Sequence, residues 1–363
     1  MYIDCHVHCR DEWESRKETI AHALEVARDS GLSAIFDMGN LFGDPVTTRK
    51  RVLDRFALVE EADSPVIYGS YILLTKDPDQ IREAVETWRE FGPHEAFKNG
   101  KVPKFFVPGL KMFAGKSVGD CTISGYDDQK EVYNQLVKND YRGVLVTHCE
   151  KESKMKRDLW DPSNPITHSY ARPEEAEVES VKDQLKHSID TGFATTGRGY
   201  SQGSLHIAHI SVPESVDLVN HAKRVRIINV TCGATPHHLL LNQRVMRYDG
   251  LAFKVNPPLR KPVSQEMLLE KFLQGEIDLL ESDHAPHTEK EKFEGEGMSG
   301  IPNLASWPLF LEMFREEGAS EQLIEKVAYK NVNKIFGTKI PRIHFHIRPH
   351  KGEYAFEPYE NLR

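Results

Sequence analysis

Eight short apolar runs, each followed by a charged stretch of helical periodicity, constrain the fold of this 363-residue chain more tightly than any other feature of its sequence. The runs fall at 2–8, 33–38, 66–74, 105–113, 144–148, 205–210, 225–231 and 277–280. Two of the intervening stretches show helix punctuation: KETIAHALEVARDSG ends on Gly31, and DDQKEVYNQLVKNDYRG opens on Asp and closes on Gly143. Alternating strands and helices predict an α/β protein, a (β/α)8 TIM barrel over 1–336, with 337–363 as a short C-terminal extension. A doubly wound sheet fits less well, because no glycine fingerprint follows any of the runs.

Composition narrows the class of partner. With 39% hydrophobic residues the chain can bury one large core, and a formal net charge of -8 without a basic run argues against nucleic acid. No apolar run approaches the roughly 18 residues of a membrane span, and the N-terminus has no signal-peptide pattern. Cys5, Cys9, Cys121, Cys149 and Cys232 form no CxxC pair, which suits reduced thiols in the cytoplasm.

Histidines cluster where a barrel builds its site, at the C-terminal ends of strands: His6 and His8, His148, His206 and His209, His284 and His287. Neutral imidazoles converging with Asp283 would form a poor core but a good site for a divalent transition metal such as zinc, iron or manganese. Lys111 falls in the same layer. An ammonium has no lone pair, so beside a metal it would have to lose its proton or become an anion, for which the carbamate formed with carbon dioxide is one route. Lys116 is its rival, in a Gly/Ser loop beyond the strand.

The segments DCHVHCRD, GLKMFAGKSVGD, VTHCEKES, LHIAHIS, TPHHLLLN, FKVNPPLR, ESDHAPH and GMSGIPNLASWPLFL, in this order, resemble the dihydroorotases of the amidohydrolase superfamily. The resemblance implies a zinc-dependent cyclic amide hydrolase that interconverts N-carbamoyl-L-aspartate and L-dihydroorotate in de novo pyrimidine synthesis. Carried over by position, His6, His8 and Asp283 would hold one zinc ion, His148 and His209 a second, and carbamylated Lys111 would bridge them, while His206 would neighbour a ligand. A hydroxide held between the ions would attack the ring amide, with Asp283 moving its proton to the leaving nitrogen. Arg10 suits a bidentate grip on the substrate carboxylate, with Asn40, His287 and, in the ring's direction, Asn256 as further contacts. The resemblance also allows self-association and association with aspartate transcarbamoylase.

Hydantoinase, dihydropyrimidinase and allantoinase types are the alternatives within the superfamily. Arg10 argues against those that take substrates lacking the carboxylate. A metal-free scaffold for aspartate transcarbamoylase would have lost ligands, and here every ligand position is filled. The chain departs from the family pattern in two places: RDEWES replaces an acidic residue, Pro and Gly after the HxHxR run, and the tail is too short for the small β domain of many relatives. A second HxH, His344 and His346, is expected on an edge strand or an oligomer contact. His237 and His238 are expected to pack around the site. Cys5, Cys9 and Cys149 are expected to alternate away from the ligands as small buried residues.

Overall fold

The computed structural model describes residues 1–116, 121–196, 203–348 and 352–361. The remainder of the expected Gly/Ser loop, at 117–120, and of the tail, at 349–351 and 362–363, lies outside the described residues. The strands are β1 (Tyr2–Val7), β2 (Leu32–Asp37), β3 (Ile67–Ser70 and Ile72–Leu73), β4 (Phe105–Phe106 and Gly109–Phe113), β5 (Val144–His148), β6 (Ser204–Ile207), β7 (Val230–Ala234) and β8 (Leu279–Leu280). All pairings between them are parallel and follow chain order from β1 to β8. β4 is interrupted at Pro108, which has no N–H to give, and the register against β3 slips by one residue there, from Gly69 opposite Phe106 to Ile72 opposite Leu110.

The ring closes between its first and last strands. Val7 bridges His284 in parallel, the His8 amide donates to the His284 carbonyl at 2.7 Å, and the Asp283 amide donates to the His6 carbonyl at 3.0 Å. Helices α1 (Ile20–Asp29), α2 (Arg49–Ala62), α3 (Pro78–Phe91), α4 (Tyr126–Lys138), α5 (Glu174–Thr191), α6 (Pro213–Arg224), α7 (Pro262–Leu273) and α8 (Trp307–Glu316) follow the strands in turn. Among the described residues no helix is long and apolar enough to cross a membrane.

Two layers of core result. Ile3, Ala34, Phe36, Ile67, Phe106, Val146 and Leu279, drawn from β1 to β5 and β8, fill the barrel interior together with Phe336. The larger cluster lies between strands and helices and includes Val7, Cys9, Leu24, Val52, Leu110 and Trp307. β1 changes face along its length: Cys5 packs with the interior residues, whereas Val7 and Cys9 pack with the helical layer. The cause is a register shift against β2 between Asp4 and Val7. Strict alternation therefore fails for Cys5, which is buried as expected but shares the barrel interior with His6.

Three other expectations need correction. The seventh strand runs Val230–Ala234, not 225–231: Val225 caps α6, Arg226 takes φ 51°, and Val225 and Ile227 are exposed on the resulting turn. The helix expected to close on Gly143 ends at Lys138, because Asp140, at φ 50°, already turns the chain. The segment carrying His344 and His346 is not a strand. It is held across the barrel by Ile343 N–H to Ser33 Oγ and Arg348 N–H to the Asp29 carbonyl, with both histidines exposed.

Candidate active site

The strand ends bring the expected ligands into one place. His6 and His8 lie on and just beyond β1, and Asp283 follows β8 across the seam, so that one ligand atom from each falls within 4.8 Å of the others. Asp283 Oδ1 is 2.9 Å from His8 Nε2 and 3.4 Å from His6 Nε2. His148 ends β5, and its Nδ1 faces His209 Nε2 at 3.2 Å. Two nitrogens bound to one tetrahedral zinc at its usual bond length stand about 3.3 Å apart. The His6 and His209 rings are 5.0 Å apart centre to centre, which joins the two groups.

Several atoms here lack the partners that buried polar groups ordinarily have. Neither ring nitrogen of His6, nor Nδ1 of His209, nor Lys111 Nζ makes a hydrogen bond among the described residues. Lys111 sits mid-strand on β4, fully buried, with Nζ 4.9 Å from the centre of the Phe113 ring. Burial pushes its ammonium down to about 8, against the pull of Glu281 and Asp283. A free amine is thus within reach near neutrality, and that is the form that condenses with carbon dioxide. Burial also holds His6 and His209 well below the ordinary imidazole range, reinforced by Lys111 at His6 and by His148 at His209. Neutral rings with bare nitrogens around a small space are a fitting donor set for divalent metal.

Carboxylates and amides behind the candidate ligands orient them. His148 Nε2 donates to Glu150 Oε2 at 3.0 Å, and Arg172 Nε holds the other oxygen of Glu150 at 3.0 Å, so that Nδ1 of His148 is the nitrogen turned inward. His8 Nδ1 meets Asn40 Oδ1 at 2.5 Å, which leaves Nε2 toward Asp283. His206 is fully engaged, Nε2 with Glu281 at 2.6 Å and Nδ1 with Thr231 at 2.8 Å, which leaves no ring nitrogen turned to the candidate ligands. His238 is likewise committed to Thr235 and the Pro257 carbonyl.

Above the candidate ligands lies a small cavity of about 30 Å³, bordered by His8, His148, His209 and Asp283 together with Arg10, Asn40 and Asn256. Arg10 is buried, anchored through Nε to the Pro286 carbonyl at 3.2 Å. Asn256 Oδ1 accepts from Ser299 Oγ at 3.1 Å, and Ser299 and Gly300 also border the cavity. His287 does not border it. Its Nε2 is turned to the Ser299 carbonyl at 3.1 Å, behind Gly300, where an added Cβ would come 2.8 Å from that nitrogen. Lys116 stays outside as well, and its backbone contacts Glu152 and Arg172.

Sequence reasoning missed Glu150, Glu281, Ser299 and Gly300. A signal existed for the two carboxylates, which stand two residues from His148 and Asp283 in strand register.

No protein-family model matches the chain. A dihydroorotase of Anoxybacillus flavithermus is 30% identical over 336 residues, spanning 91% of this chain and 71% of that one. The chain belongs to the dihydroorotase family. Other dihydroorotases agree: that of Fusobacterium nucleatum is 28% identical, spanning 92% of this chain and 72% of the relative. Among solved structures, a dihydroorotase from Saccharomyces cerevisiae in complex with 5-fluoroorotic acid superposes with a TM-score of 0.70 at 18% identity, covering 93% of this chain and 84% of that one. An L-hydantoinase from Arthrobacter aurescens gives 0.76 at 21% identity, covering 93% and 70%. Both likenesses support the fold derived above.

Proposed function

We propose that this member of the dihydroorotase family is a metal-dependent dihydroorotase, interconverting N-carbamoyl-L-aspartate and L-dihydroorotate. The observation that carries the reading is a buried arginine, Arg10, bordering the same cavity as Asp283 and the strand-end histidines. Two divalent ions, zinc in the first instance, would be held by His6, His8 and Asp283 and by His148 and His209, with Lys111 as its carbamate between them. When bound they supply Lewis acidity toward an amide carbonyl at neutral pH.

The chain's own groups supply the rest. Arg10, fixed through Nε, keeps its terminal nitrogens for a carboxylate, and Asn40 stands beside it. Asp283 is the carboxylate at the junction of ligands and cavity, placed to hold a proton and pass it to the ring nitrogen as the amide opens, or to accept it from the ureido nitrogen on closure. Asn256 and Ser299 are polar contacts for the ring. Pyrimidine synthesis, cytoplasmic location, self-association and association with aspartate transcarbamoylase belong to the same proposal through the family resemblance.

The test is metal content together with turnover of dihydroorotate, hydantoin and allantoin by the purified protein. Turnover of dihydroorotate with bound divalent metal is expected. Hydrolysis of hydantoin without turnover of dihydroorotate would overturn the substrate assignment.

A further inference from the structure

Glu281 is a carboxylate in the barrel interior, 1% exposed, whose ion-pair partners among the described residues are the imidazoles of His6 and His206. Oε1 accepts from His206 Nε2 at 2.6 Å. Oε2 accepts from the backbone N–H of His209 at 2.8 Å and lies 3.7 Å from His6 Nδ1. Its neighbour on β7 is Gly233, paired in register with Leu279. A Cβ at 233 would come 2.4 Å from Cδ of Glu281 and 2.6 Å from each carboxylate oxygen. Any side chain there would contest the volume that the carboxylate fills.

We propose that Glu281 is a positioning residue for the histidines His6 and His209, and that Gly233 is a glycine because Glu281 needs its space. The inference rests on the reading of those histidines as metal ligands. His209 has φ 37°, in the left-handed region that a histidine adopts only when its surroundings enforce it. The bond from its N–H to Glu281 supplies part of that enforcement. At His6, Glu281 Oε2 lies 3.7 Å from Nδ1, too far for a hydrogen bond but close enough to act on its charge, while Nε2 faces Asp283 at 3.4 Å. The negative charge on that side favours the proton on Nδ1, which leaves Nε2 for the metal. The same carboxylate thus biases the tautomer of one histidine through its charge, holds the backbone of another by a hydrogen bond, and fixes the His206 ring. Losing such a supporting partner typically weakens metal binding about 10–100-fold.

The experiment is competition for zinc between the metal-stripped full-length chain and a chromogenic chelator, with circular dichroism as the folding control. Glu281→Gln is expected to bind zinc about 10–100-fold more weakly than the parent. Gly233→Ala, which alters no ligand, is expected to weaken binding in the same direction by displacing Glu281. The double variant Glu281→Ala with Gly233→Asp is expected to recover affinity, because a carboxylate one bond beyond the Cβ of residue 233 falls in the vacated volume. Parent-like affinity in folded Glu281→Gln, or in folded Gly233→Ala if the first variant does not fold, would overturn the positioning role while leaving the proposed function intact. A parent chain that binds no zinc or other divalent metal would instead overturn the metal reading itself.

Discussion

At the scale of single residues, the candidate ligands were legible because strand geometry is unforgiving. His6, His8, His148, His209 and Asp283 each fall at a strand end, and a barrel directs every strand end to one mouth. What spacing could not show was rotamer and partner. Asn40 was expected at the substrate, yet its Oδ1 also orients His8. His287 was expected as a substrate contact; its Nε2 is held by the Ser299 carbonyl behind Gly300. Two residue-level outcomes follow. Lys111→Ala is expected to lose paired metal occupancy, and elemental analysis finding two ions per chain would contradict the bridging role. Arg10→Met is expected to lower kcat/KM for dihydroorotate about 10–100-fold, the loss of a hydrogen-bonded charged contact of about 1.5–3 kcal/mol, chiefly through KM in steady-state assays.

Elements hold these residues in place through buried ion pairs that the sequence pattern hid. Arg55 on α2 and Asp37 at the end of β2 are both fully buried and 2.7 Å apart. Asp37 accepts from the Cys9 amide at 3.0 Å, and Arg55 donates to the carbonyls of Cys9 and Arg10. An arginine on a helix and an aspartate at a strand end, 18 residues apart, look like ordinary surface charges in sequence. In the fold they clamp the segment that presents Arg10. Arg55→Met would leave Asp37 as an uncompensated buried charge and is expected to cost about 3–5 kcal/mol of stability, measured by urea unfolding. The slipped seventh strand has a comparable cause. Val225 and Ile227 alternate as a strand would, but the cap of α6 and the left-handed Arg226 throw them onto the surface.

Over the whole molecule, the barrel was readable from its eightfold alternation, while the course of the tail was not: the alternating spacing of His344 and His346 suggested a strand, and none forms there. Tyr354 reaches Glu18, donating to Oε1 at 2.7 Å, and Glu18 meets His284 Nε2 at 3.1 Å beside the seam. His284 accepts the amides of Asn303 and Leu304 on Nδ1, so Nε2 carries the proton given to Glu18. Burial pushes the Glu18 carboxyl up, but His284, His22 and Tyr354 outweigh it and hold it at about 2, below its ordinary 4.5. A carboxyl depressed in the folded state adds stability that is complete above its unfolded value and disappears as the pH falls through the folded one. Glu18→Gln is therefore expected to flatten the loss of stability between pH 4.5 and about 2, read from denaturation midpoints across that window.

The join between the first and last strands carries a consequence for biosynthesis. His8 and Asp283, in contact in the finished protein, are separated by 275 positions of polypeptide. During translation the amino-terminal histidine pair emerges long before its carboxylate partner, so any cation it captures then is gripped by imidazole nitrogens only. On the proposed metal reading, full chelation would begin only when the final strand has left the ribosome and docked, which would tie the onset of catalysis to completion of the ring.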